Sequence, residues 1–153
     1  MCNWFARLWG DRRGGIAIEA AVLLPIFALA LAGSMEVGRA LSQAATIEKG
    51  LRAGAIYAAG HEAPLTVAVI AETKNIVRTL QPVGGTPVLS GWDSPEASVE
   101  VTTRSFALGA DTLPVVRIVA SVPYQPLVPA LVAFAGFADT RITLSHEQVV
   151  VGQ

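Results

Sequence analysis

Residues 14–39 read GGIAIEAAVLLPIFALALAGSMEVGR, and between Ile16 and Met35 the only charged residue is Glu19. An α-helix rises about 1.5 Å per residue, so ~20 residues of this kind cover roughly 30 Å of hydrocarbon core. The pair Arg12-Arg13 precedes the apolar run. Such a run indicates a membrane span, a signal peptide or a helix buried by other subunits.

The position of Glu19 bears on which of these applies. An ionised carboxylate at the centre of a lipid-facing helix costs about 2.5–3.5 kcal/mol, and less near an end. A simple membrane anchor does not need this carboxylate. A carboxylate one turn from the interface can, however, reach the polar headgroups. The residues alone therefore leave open whether Glu19 has a function or only tolerates its place.

The composition limits what the rest of the chain can be. The 153 residues are 52% hydrophobic and 15% charged, with a net charge of −1. Setting the span aside leaves about 115 residues, enough for one small domain. No basic surface is expected, so nucleic acid is not predicted as a partner. The single cysteine, Cys2, rules out an intrachain disulfide.

The residues before the span predict its orientation. Residues 1–14 form a short basic leader that includes Arg7 as well as the pair next to the span. An excess of arginine on this side favours a cytoplasmic N-terminus and a C-terminal domain outside the cytoplasm.

The helical pattern continues beyond the span. Apolar residues recur three or four positions apart on one face, namely at Val37, Leu41, Ala44, Ile47, Leu51, Ala55 and Ala58. Gly60 and Pro64 end the pattern. The sequence therefore predicts one helix with a transmembrane half over residues 15–36 and an extracytoplasmic half over 37–59.

Two charged residues follow the apolar run directly. Glu36 and Arg39 are three positions apart, so on this helix they are candidates for a surface ion pair.

The remainder predicts an α+β domain over residues 37–153. A second helix is expected over 65–80, followed by a loop with a short strand near Pro87–Ser90. Alternating apolar and polar residues then predict an antiparallel sheet packed on the helical face, with strands at about 98–106, 114–123 and 140–151. Between the last two strands, the apolar segment PLVPALVAFAGF has three possible roles: covering the core, facing a partner or lying against the membrane surface.

The order of these features resembles pilins: a basic leader, a Gly and Glu site, a span, a continuing helix and a terminal sheet. More narrowly, the chain resembles TadE/TadG-like proteins of tight-adherence (Tad, Flp) pilus assembly systems, with the shorter TadE type fitting better. The segments that carry this resemblance are RRGGIAIEAAVLLPIF, MEVGRALSQAATIEKGLRAGAIYAA, VPYQPLVPALVAF and ITLSHEQVVV.

The resemblance implies a pilin-like minor pseudopilin of the bacterial inner membrane, without cofactor or catalytic activity. A prepilin peptidase would cut between Gly14 and Gly15, and Glu19 would then pair with a free α-amine during assembly. The other implied partners are further minor pseudopilins, the major Flp pilin and the inner-membrane pilus platform. Major pilins of these systems usually have Tyr after the Glu, whereas Ala20 stands here, which favours a minor component.

Other classes of protein stay open. A signal peptide cut after Ala32, at the A-x-A site Ala30-Leu31-Ala32, would release a secreted or periplasmic domain. A generic single-span envelope binding protein is a further alternative. An enzyme is least supported, because His61 and His146 lie far apart in the sequence and it contains no phosphate loop, metal-spaced cluster or nucleophile elbow.

Overall fold

The computed structural model describes residues 13–109 and 111–151. The predicted leader, residues 1–14, lies outside the described residues except for its last two positions. The helices are α1 (Arg13–Ala59), α2 (Val67–Thr79), a 3-10 helix (Ser90–Asp93) and α3 (Pro129–Phe134), and the strands are β1 (Ser98–Leu108), β2 (Asp111–Pro123) and β3 (Arg141–Val149). The predicted α+β class, with a long N-terminal helix, a shorter second helix and an antiparallel sheet, is confirmed.

The long helix α1 has two halves with different surroundings. All 47 of its residues form one helix, with Pro25 inside it. Every residue from Gly15 to Leu31 is exposed. Within the described ranges, α1 is the one helix long and apolar enough to cross a membrane. Its second half packs against the rest of the domain.

The sheet has the order β1-β2-β3, and both neighbouring pairs are antiparallel. Val101 pairs with Ile118, which in turn pairs with His146. Alternate residues of the central strand β2 are buried against the helices, namely Val116, Ile118, Ala120 and Val122. The predicted alternation of this strand is confirmed, and it gives the sheet one inner face and one face toward solvent.

The predicted apolar face of α1 is correct in its second half. Its members there are completely buried in the core: Ile47, Leu51, Ala55 and Ala58. The first half of the prediction is wrong, because Val37 and Leu41 are 61% and 67% exposed. With 3.6 residues per turn, the buried face runs back from Ile47 to Gln43 and Glu36, both of which are buried.

The two ends of the sheet meet the two ends of the packed half of α1. At the far end, the Val151 N–H donates to the Ala59 carbonyl at 2.9 Å. At the near end, residues 124–140 connect β2 to β3, and the Tyr124 N–H donates to the Thr140 carbonyl at 2.9 Å. The β2–β3 connection is therefore on the side of the domain where the exposed half of α1 begins.

The strand expected near Pro87–Ser90 is wrong: in the described part of the chain this segment is loop followed by the 3-10 helix. The Val88 N–H donates to the Arg78 carbonyl at the end of α2 rather than to another strand. The 3-10 helix buries Trp92 in the core instead.

Helix α2 lies against α1 at two glycines. A Cβ atom added to Gly50 would lie 2.3 Å from the carbonyl oxygen of Val77, and one added to Gly54 would lie 2.8 Å from the same residue's Cγ2. The backbone of α2 therefore approaches as closely as it does because these two positions have no side chain.

We expect Gly50→Ala to destabilise the domain by about 1–3 kcal/mol, because the added methyl group meets a backbone atom that cannot rotate away. Urea unfolding of the full chain in mild detergent, followed by near-ultraviolet circular dichroism, measures the change. Gly38→Ala is the matched control. A Cβ at Gly38 meets nothing within 4 Å, so this variant should gain ~0.5–1 kcal/mol from helix propensity. Equal effects of the two variants would contradict the close packing.

Candidate functional site

The residues of the predicted processing site lie in the first turns of α1. Gly14 and Gly15 already have helical backbone, and no atom lies within 4 Å of a Cβ built on Gly15. Glu19 is exposed, one turn further along the same apolar surface. Gly15 and Glu19 are both exposed, and Glu19 and Glu36 are about 26 Å apart along an ideal helix axis.

Glu36 lies where the packed half of α1 begins, and its carboxylate is buried by the β2–β3 connection. It accepts hydrogen bonds from the Tyr124 hydroxyl and from the Val128 N–H. The Tyr124 oxygen also lies 3.1 Å from the carbonyl oxygen of Glu36. A carboxylate taken out of water needs such donors, since leaving it without them costs several kcal/mol.

Arg39 and Gln43 hold the next residue of the connection. Arg39 Nε and Gln43 Nε2 donate to the Gln125 carbonyl at 2.6 and 2.7 Å. The Gln125 N–H returns a hydrogen bond to Gln43 Oε1 at 3.2 Å. Glu36, Arg39 and Gln43, with Tyr124 and Gln125, are called the polar cluster below.

Glu36 and Arg39 were candidates for a pair on the helix surface, and the structure places both in the polar cluster. They form no ion pair with each other. The physical reason is that each has a closer partner. The Glu36 carboxylate accepts hydrogen bonds from the Tyr124 hydroxyl and the Val128 N–H, while Arg39 Nε donates to the Gln125 carbonyl.

The polar cluster keeps the Tyr124 hydroxyl protonated. Burial, the hydrogen bond to Glu36 and the negative charge of that carboxylate together raise the pKa of Tyr124 to about 12, against a smaller lowering by Arg39. The hydroxyl therefore remains a donor at physiological pH. At the other end of α1, Tyr57 donates to Glu72, and this hydrogen bond is the main reason why the pKa of Tyr57 is also raised.

The polar cluster borders a surface cleft. A cleft of about 280 Å³ opens beside it, lined by Arg39, Gln43, Ser90 and Leu127 among others. Within residues 13–109 and 111–151, no group of three His, Cys, Asp or Glu side chains could hold a metal ion.

Neither of the two histidines belongs to the polar cluster. A ring nitrogen of His61 lies 2.9 Å from the Tyr57 carbonyl oxygen, and His146 is half-buried in β3.

Sequence reasoning missed Gln43, Tyr124 and Gln125. A signal was present for the first of them: Gln43 lies four residues before Ile47, and Glu36 seven before Gln43, so all three share one helix face. Two polar residues in phase with a buried apolar stripe indicate partners elsewhere in the chain. The partners themselves are more than 80 positions away, and local periodicity gives no information about them.

We expect Tyr124→Phe to lower the free energy of unfolding by about 1–3 kcal/mol, because the buried Glu36 carboxylate loses a hydrogen-bond donor. Urea unfolding of the full chain in detergent measures this. Tyr57→Phe is the matched control, since it also removes a hydroxyl bonded to a carboxylate, that of Glu72, which is not buried. Its cost should be smaller, and a Tyr124→Phe variant as stable as the unsubstituted chain would contradict the role of the polar cluster.

Comparison with known proteins identifies one matching family. The family model described as TadE-like protein matches residues 14–55. No curated protein and no solved structure matches the chain. The matched segment is less than half of the chain, and it contains the Gly–Glu site, the exposed half of α1 and the helical members of the polar cluster. Residues 14–55, in the helix that carries the candidate site, are thus similar to TadE-like proteins, which confirms the resemblance predicted from the sequence.

Proposed function

We propose that the chain is a non-catalytic minor pseudopilin that acts in the assembly of Tad (Flp) pili. The observation that carries the proposal is the TadE-like match over residues 14–55. The matched segment lies in helix α1, whose first half is apolar and exposed and whose second half packs against the folded domain. Such a division is what a subunit needs if it is anchored in a membrane and presents a domain to other subunits.

The span crosses the bacterial inner membrane with the N-terminus in the cytoplasm and the domain in the periplasm. The arginines before the span support this orientation, since cytoplasmic flanks are enriched in Lys and Arg. The partners are the prepilin peptidase, other minor pseudopilins, the major Flp pilin and the membrane platform of the pilus machine.

Gly14 and Gly15 form the processing site, and Glu19 acts in assembly. Cleavage between the glycines makes Glu19 the fifth residue of the mature chain and creates an ammonium group at Gly15. In a bundle of helices with a low dielectric constant, an ammonium group and a carboxylate attract strongly, while either one alone is penalised. The exposed position of Glu19 on the bare half of α1 supports pairing with a neighbouring subunit.

A structural role in assembly also fits the domain. The side chains of the polar cluster bind one another and the backbone, and so stabilise the fold. The family match points to proteins of pilus assembly.

The first test is the N-terminal residue of the chain recovered from membranes of cells that contain the native assembly machinery. We expect Gly15, because the peptidase cuts after Gly14. A start at Gly33 would instead indicate a signal peptide cut after Ala32 and an exported soluble domain. A start at Met1 would indicate an uncut envelope protein, and either result would contradict the proposed processing.

The second test is Glu19→Gln, which removes the charge and nearly keeps the shape. We expect the chain to insert and fold as before, because Glu19 contacts no part of the domain, while surface piliation falls severely. Glu48→Gln is the matched control: Glu48 is an exposed carboxylate of the same helix paired only with Arg52, so piliation should be unchanged. Normal piliation with Glu19→Gln would count against the assembly role.

A further inference from the structure

The β2–β3 connection is an exposed apolar segment within the folded domain. Residues 124–138 contain no charged side chain. Phe134 is 91% exposed and Phe137 is 63% exposed, and Leu127 and Val128 are exposed beside them. Two aromatic rings in water at one end of a small domain require an explanation, because apolar surface of this kind is normally buried.

The location of the connection supplies the explanation. The polar cluster fixes its first residues to Glu36, Arg39 and Gln43, and Glu36 directly follows the last residue of the apolar run, Met35. In a chain anchored by α1, the connection therefore lies at the level where the helix leaves the hydrocarbon. The β1–β2 hairpin lies at the opposite end of the sheet.

The backbone hydrogen bonds of the connection suit surroundings that contain little water. Its N–H groups donate within the protein at many positions: Tyr124, Gln125, Val128, Leu131, Val132, Ala135, Gly136, Phe137 and Thr140. Pro126 and Pro129 have no N–H to satisfy. Backbone groups without partners are costly in lipid, so this segment meets the main requirement for contact with it.

We propose that residues 127–137 insert their exposed apolar side chains into the interface of the membrane that α1 crosses, as a second and monotopic contact. The proposal rests on the membrane anchoring in the proposed function. Lipid is the occupant favoured by the structure because residues 124–138 lie beside the exposed apolar surface of α1 and contain no charge that would select a protein partner, Asp139 being the one charged residue of the connection. Arg39, exposed beside it, is at the level of the anionic headgroups.

This contact is that of a short amphipathic segment lying in the interface, whose apolar side reaches ~5–10 Å below the headgroups. Phe134 and Phe137 supply that side. Val132 of α3 is buried, and hydrogen bonds of Tyr124, Gln125 and Val128 to α1 hold the connection to the domain. Together with α1, the connection then fixes the tilt of the domain relative to the bilayer.

The test places a fluorescent label, the environment-sensitive nitrobenzoxadiazole group, at Phe134→Cys in the full chain. The background is Cys2→Ser, which removes the only native cysteine. Vesicles of phosphatidylethanolamine and phosphatidylglycerol hold the protein. The matched control is Phe106→Cys, because Phe106 is also an exposed aromatic residue, 60% accessible, but lies near the hairpin at the far end of the sheet.

We expect the label at position 134 to be quenched by spin-labelled lipids and to show a several-fold lower quenching by aqueous iodide than the label at 106. Equal iodide quenching at the two positions would overturn the inference and leave the anchoring intact. Protection from iodide without quenching by lipid would indicate cover by protein, and would overturn it too. A chain that alkaline carbonate extracts from the vesicles would overturn the anchoring and the inference together.

Both labelled positions are exposed, so neither substitution removes a core contact, and circular dichroism verifies that the two variants fold alike. Phe134→Asp with Phe137→Asp gives an independent measurement on the label at Leu127→Cys. The two carboxylates should draw the segment toward water and raise iodide quenching at 127 several-fold. Unchanged quenching there would contradict insertion of the rings.

Discussion

The buried carboxylate of Glu36 is the interaction on which the arrangement of this protein depends. It lies on a helix at the point where the surroundings change, with a bare apolar surface on one side and a packed domain on the other. A charge can be buried there only because Tyr124 and Val128 come back from the sheet to donate to it. The polar cluster thus links the first helix to a segment formed late in the chain, and the domain is attached to the helix at this place.

The second attachment is at the other end of the packed half of α1. The Val151 N–H binds the carbonyl of Ala59, and between these two points the apolar stripe of the helix packs on the inner face of β2. Helix α2 packs beside α1, brought close by Gly50 and Gly54, and also contacts β1. The domain is therefore fixed along about 35 Å of helix, taking 1.5 Å per residue, and does not hang from the span by a flexible linker.

The sequence was informative where the pattern is local. The apolar run, the helix that continues it, the stripe from Ile47 to Ala58 and the alternating strands follow from periods of 3.6 and 2. Prediction failed at Val37 and Leu41, because apolar residues were taken to mark the buried face. There the buried face is polar, and Glu36 and Gln43 are satisfied only by residues of the β2–β3 connection. The pairing of partners so far apart in the sequence is a property of the tertiary fold.

The candidate site, too, was predictable from the sequence only where its residues form a local pattern. The Gly–Glu pattern and its family are readable from a few adjacent residues. Tyr124 and Gln125 are not, because nothing near them in sequence distinguishes a loop that binds a helix from one in water. The strand expected near Pro87–Ser90 failed for a related reason: a strand needs a neighbour, and the N–H of Val88 meets the end of α2 instead.

The unbroken course of α1 has a geometric consequence for how neighbours can approach. Each residue of an ideal α-helix turns the side-chain direction by about 100°, so the 17 steps from Glu19 to Glu36 leave the two carboxylates about 100° apart around the axis. Seen along the helix, the β2–β3 connection occupies one quadrant and Glu19 points into the next. A second helix lying against Glu19 would therefore approach α1 from a different side than the connection does. Inserting one residue between the two would make the separation about 18 steps of 100°, or five full turns, and would bring both carboxylates onto the same side of the helix.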